Sequence, residues 1–191
     1  ISAVLMWSTT AALVKSLLME IPTYEALFVS SLAGALFLIV MQLVRGGGRV
    51  FRAYDVRGYA AMAGLGFLGI FLYSGLYYYG LSQLTSQEAC ILNFLWPMMI
   101  VLFAAFLLGE RITVRTAAAL LLSFSGVVAL TLGGEGHAEG NAVMGMIACV
   151  LAAVCYGLFC VLNKRRNIDQ TVMMVVAWGV TALCSLPVTL I

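Results

Sequence analysis

The sequence predicts an all-α, polytopic bundle of transmembrane helices, and three observations carry that prediction. Of the 191 residues, 63% are apolar and only 9% are charged, with a mean hydropathy of +1.07; a soluble domain is roughly half apolar and a quarter charged. The apolar residues gather into seven runs, each close to the roughly 20 residues that a helix needs to cross a bilayer. These runs are continuous, whereas the strands of an outer-membrane barrel alternate apolar and polar residues.

The predicted spans are residues 1–19, 24–44, 59–79, 83–108, 114–132, 142–163 and 171–191. Short connections join them, and none has room for a soluble domain. Orientation follows from the cations. Connections after the second, fourth and sixth spans carry Arg45, Arg49, Arg52, Arg57, Arg111, Arg115, Lys164, Arg165 and Arg166, nine of the ten Lys and Arg, and those after the odd spans carry none. By the positive-inside rule the chain enters from the cytoplasm and the connection at 133–141 faces outside.

The first span holds Trp7 and Ser8 near its middle, with Ser8 and Lys15 on a shared face. Trp7 either stacks an aromatic or cationic substrate or fills a helix interface. Glu25 opens the second span. The third places Tyr73, Tyr77 and Gly80 on one face; Tyr78 and Tyr79 fit an interfacial aromatic belt, and Tyr73 lies deeper, as a cavity residue would. In the fourth, Ser86, Cys90, Asn93 and Pro97 share a face with Trp96 beside it. Pro97 cannot donate a backbone hydrogen bond, so a kink is expected that frees the carbonyl of Asn93. Such a group is tolerated where it faces protein or water. Asn93 therefore either lines a cavity or bonds a neighbouring helix.

The fifth and seventh spans contribute no site candidate. In the sixth, Gly145, Cys149, Ala153 and Gly157 recur every four residues, a small-residue stripe for close helix approach. Lys15, Glu25 and Glu88 sit one or two turns from the outer ends of their spans. They form either an outer gate of opposite charges or a set of side chains snorkelling to the surface. A weak repeat links Trp7-Ser8 and Lys15 to Tyr156-Gly157 and Lys164 at an offset of 149 residues. Five intervening helices would make the second copy cross in the opposite direction, as in transporters built from inverted repeats.

A net charge of +2 is too small for a nucleic-acid footprint. The five cysteines all lie in apolar runs without metal-ligand or disulfide spacing. With one histidine and no H-E-x-x-H, G-x-S-x-G or phosphate-loop motif, an enzyme, a metal site and a cofactor are not expected. Ile1 opens inside an apolar run without a basic flank and Ile191 ends another, so a fragment of a longer chain is expected.

Leu5-Met6-Trp7-Ser8-Thr9, Gly80-Leu81, Asn93-Phe94-Leu95-Trp96-Pro97, Leu108-Gly109-Glu110-Arg111 and Gly126-Val127 together resemble the EamA-type branch of the drug/metabolite transporter superfamily. The Trp-Ser-Thr start, Asn-x-x-Trp-Pro and the stretch from Tyr156 to Asn163-Lys164 are most similar to its aromatic amino acid exporter subgroup. The resemblance implies ten helices in two inverted five-helix repeats around a central cavity. Residues 1–132 would then form the first repeat and residues 142–191 the first two helices of the second. Ser30 and Ala119 depart from the family pattern, which usually has Arg and Gly there.

The resulting expectation is a secondary transporter of the inner or plasma membrane, a bacterial inner membrane first of all. It would export small metabolites, amino acids among the candidates, by alternating access. Trp7, Ser8, Tyr73, Tyr77, Asn93, Trp96, Pro97 and Tyr156 are the candidate substrate residues, with Lys15, Glu25 and Glu88 as gate or vestibule. The expected partners are a small-molecule substrate and membrane lipid, without nucleic acid. A non-transport structural or receptor-like bundle is the competing reading.

Overall fold

The structure is a computed structural model describing residues 13–14, 16–45, 47–133, 141–166 and 168–189. The described residues are helical with no strand, and five helical stretches are long and apolar enough to cross a bilayer: Tyr24–Val44, Val56–Gln83, Ser86–Leu108, Ala142–Arg166 and Gln170–Pro187. Most of the predicted first span lies outside the described residues.

Helix α1 (Thr23–Val44) follows Pro22, and a short 3₁₀ helix (Gly47–Ala53) crosses the basic segment. Asp55 starts α2 (Val56–Gly66) by accepting a hydrogen bond from the Gly58 N–H at 2.8 Å. Without a turn, α2 runs into wide π-helical turns (Phe67–Leu72) and then α3 (Tyr73–Gln83). Thr85 and Glu88 close a reciprocal capping box at the start of α4 (Ser86–Asn93). Helix α5 (Trp96–Leu108) stops at Gly109, whose φ of 69° suits a residue without Cβ. An apolar α6 (Val114–Gly133), α7 (Ala142–Arg166) and α8 (Gln170–Thr189) complete the described bundle. Asp169 caps α8 by accepting from the N–H groups of Thr171 and Val172.

The fourth span differs from the expected kinked helix. It is two helices, α4 and α5, parted at Phe94-Leu95. Pro97 falls in the first turn of α5, where a missing N–H breaks no intrahelical bond, so the helix ends and restarts rather than bending.

Helix α7 is the hub, packed on α3, α4, α5 and the π segment, while α8 lies chiefly against α1. The small-residue stripe permits this. A Cβ on Gly157 would sit 2.6 Å from Met99 Cβ and 3.1 Å from the Met99 carbonyl carbon of α5, and one on Gly80 would overlap Cys149 Sγ. Two apolar cores result. Tyr77, Leu81, Leu84, Ala89, Leu92, Cys149 and Ala152 form one, between α3, α4 and α7. Met62, Leu65, Ile70, Phe159, Val172, Met173 and Ala177 form the other, between α2, α7 and α8.

The ends of the bundle differ chemically. At one, the Asp169 N–H donates to the Tyr54 hydroxyl at 2.9 Å and Lys164 pairs with Glu110 at 2.8 Å. These bonds bring the three cation-bearing connections together, as the cation count requires. At the other, the Asn141 N–H donates to Gln83 Oε1 at 2.9 Å.

Candidate functional site

Between the two cores, α3, the α4–α5 break, α7 and α8 enclose a cavity of about 380 Å³. Helix α3 contributes Tyr73, Tyr77 and Tyr78, the break contributes Asn93, Phe94 and Trp96, α7 contributes Tyr156, and α8 contributes Met174 and Trp178. Two local irregularities place these side chains. Wide turns at Phe67–Leu72 shift α3 out of the register of α2 just before Tyr73, a device common near functional sites. The break at Phe94-Leu95 does the same between Asn93 and Trp96.

The walls are largely aromatic. Tyr73 and Tyr77 stack with ring centres 6.0 Å apart, Tyr73 lies 4.9 Å from Tyr156, and Trp96 meets Tyr156 edge-on at 5.4 Å. Edge-to-face and offset arrangements of this kind suit the quadrupoles of the rings. The cavity also has a defined polar point. Asn93 Nδ2 donates to the Tyr73 hydroxyl at 3.1 Å, tying the break to α3, while the buried Asn93 Oδ1 has no hydrogen-bond partner among the described residues. A buried carbonyl left so costs about 1–3 kcal/mol, which a ligand N–H would recover.

Tyr73, Tyr77, Asn93, Trp96 and Tyr156 thus meet in one cavity, having been singled out from three separate spans. Pro97 is not part of the lining and shapes the break beside it. Trp7, Ser8 and Lys15 lie outside the described residues. Glu25 is exposed in the first turn of α1. Glu88 receives hydrogen bonds from the backbone N–H and hydroxyl of Thr85 at 3.0 and 2.8 Å. Tyr78, which suits an aromatic belt by its position in sequence, lines the cavity, whereas Tyr79 is exposed. Sequence reasoning missed Trp178 and Met174. The available signal was depth, since Trp178 lies mid-span, where an interfacial Trp would not.

Comparison with known proteins identifies the family. The EamA-like transporter family matches residues 1–132. The aromatic amino acid exporter YddG of Ancylobacter novellus is 32% identical over 167 residues, covering 86% of this chain and 56% of the exporter. The uncharacterized transporter YetK of Bacillus subtilis is 35% identical over 100 residues, covering 51% of this chain and 30% of its own length. A solved crystal structure superposes with a TM-score of 0.73 at 30% identity, over 99% of this chain and 64% of that one. This chain therefore spans about half, or less, of the curated relatives it matches.

Proposed function

This chain belongs to the EamA-like transporter family, and from that premise we propose that the full-length protein is a secondary transporter exporting small metabolites, aromatic amino acids first among them, by alternating access. The observation that carries the reading is the cavity itself. Its volume of about 380 Å³ falls within the range of small-molecule pockets, about 300–1,000 Å³. Its aromatic walls suit a flat apolar side chain, and Asn93 Oδ1, an acceptor without a partner among the described residues, suits an ammonium group. The relative named as an aromatic amino acid exporter supports the same substrate class.

In this mechanism Tyr73, Tyr77, Trp96 and Tyr156 hold the ring and Asn93 orients the amine. Trp7 and Ser8 complete the binding surface from the first span, and Pro97 sets the break that aims Asn93. Lys15, Glu25 and Glu88 form the vestibule, Glu88 exchanging its bonds with Thr85 for a cation as the outer side opens. Residues 1–132 act as one repeat and 142–191 as the start of an inverted second. The protein is a multi-pass membrane protein of a family that points to transport rather than catalysis. We place it in a bacterial inner membrane, with its N-terminus and basic end in the cytoplasm.

Competition binding tests the reading. The full-length protein in detergent should bind labelled L-phenylalanine saturably. L-tryptophan and L-tyrosine should displace it, and L-glutamate should not. Equal displacement by L-glutamate would remove the aromatic assignment, and no saturable binding of any amino acid would remove the substrate class.

A further inference from the structure

A second cavity, also of about 380 Å³, lies at the basic end of α7, and Tyr156 and Met174 belong to the walls of both cavities. Those two side chains are the partition between them. On its far side this second chamber is lined by Cys160, Asn163, Lys164 and Gln170.

Its polar equipment is one-sided. Asn163 is 5% exposed, its Nδ2 donates to Gln170 Oε1 at 3.1 Å, and its buried Oδ1 has no partner among the described residues. The amide is therefore fixed by its donor half, with the acceptor half left over. One residue along, Lys164 carries a cation whose partner is Glu110 at 2.8 Å, with the side chains 68% and 51% exposed. An ion pair this open contributes little, so Lys164 can exchange Glu110 for another anion at small cost. A buried neutral acceptor beside an exchangeable cation matches a small solute bearing both an ammonium and a carboxylate.

We propose that this chamber is a second binding site, an antechamber to the central cavity, taking a zwitterionic α-amino acid with its ammonium on Asn163 Oδ1 and its carboxylate on Lys164. The assignment rests on the transport reading above, and it adds a step: the solute waits at the basic end and passes inward when Tyr156 and Met174 swing aside.

Native thiols report on each chamber, because Cys160 lines the second and Cys90 the central one. In the full-length protein, variants retaining only Cys160 or only Cys90 are labelled with N-ethylmaleimide, with and without L-phenylalanine. L-phenylalanine should slow labelling at both. Asn163→Ala should raise the concentration for half-protection of Cys160 by about fivefold or more while leaving Cys90 within about twofold. Lys164→Gln, a change at an exposed side chain that leaves the packing intact, should do the same. Protection of Cys90 without Cys160 would overturn the antechamber and leave the central site standing. Protection of Cys160 that neither substitution weakens would overturn it too, since the thiol would then be responding to a change of shape. Protection of neither thiol would remove the transport reading and the antechamber with it.

Discussion

Asn93 serves two purposes with the two halves of one amide. The donor half ties the α4–α5 break to Tyr73, and the acceptor half is buried without a partner among the described residues, on a side chain that lines the central cavity. The alternatives that its sequence position leaves open, cavity lining and bonding to a neighbouring helix, are both realised in its geometry. The halves separate by mutation. Tyr73→Phe removes the interhelical bond and keeps the ring, so thermal stability in detergent should fall by about 0.6 kcal/mol, the average for such bonds in membranes. Asn93→Ala also removes the acceptor, and L-phenylalanine affinity should drop by about 5- to 150-fold, the equivalent of about 1–3 kcal/mol. A lowered melting point with unchanged affinity would take Asn93 out of the binding surface. Polar groups inside apolar runs are easy to find from sequence because they are costly there. Trp178 carried only its mid-span depth as a mark, and Met174, an apolar side chain in an apolar helix, carries none until its neighbours are known.

At the scale of the element, regular features are legible and irregular ones are not. The stripe Gly145, Cys149, Ala153, Gly157 predicts close approach from its four-residue period alone, and α7 does lie against α3, α4 and α5 along it. Gly157→Val would drive a branched side chain into the Met99 backbone, and overpacking of this kind costs about 1–3 kcal/mol. The full-length variant should melt lower, and a melting point equal to wild type would mean that α5 and α7 are not so closely packed. The π segment had no such signature. Within it Phe159 fills the space where a Cβ on Gly69 would be, a tertiary contact between spans far apart in sequence. Pro97 announces a disturbance, and whether it kinks a helix or lets one end and restart depends on the turn at Phe94-Leu95. Thr85→Ala should also lower stability, by about 0.5–2 kcal/mol, through loss of the Thr85–Glu88 capping box. Hydrogen exchange of the first turn of α4 is the direct reading, and unchanged protection there would contradict that role.

At the scale of the molecule, the bundle has one cation-rich end and one whose charged side chains, among the described residues, are the carboxylates Glu20, Glu25 and Glu88, and the aromatic cavity lies between its two apolar cores. The all-helical class followed from composition, and the clustering of three basic connections followed from a nine-to-none cation count, because charge is confined to where water is. The sidedness is testable with one added cysteine in a cysteine-free background. A Cys at Gly134 should react with an impermeant thiol reagent from outside, and a Cys at Gly47 should react only once the membrane is opened; the reverse would invert the orientation. The central claim is that a solute crosses the membrane through the cavity of Tyr73, Asn93, Trp96 and Tyr156. Counterflow tests it most directly: proteoliposomes of the full-length protein loaded with unlabelled L-phenylalanine should accumulate the labelled amino acid saturably. Asn93→Ala should shift half-saturation upward by at least about fivefold without loss of folded protein. Absence of counterflow, or counterflow with the same half-saturation in Asn93→Ala, would contradict the account.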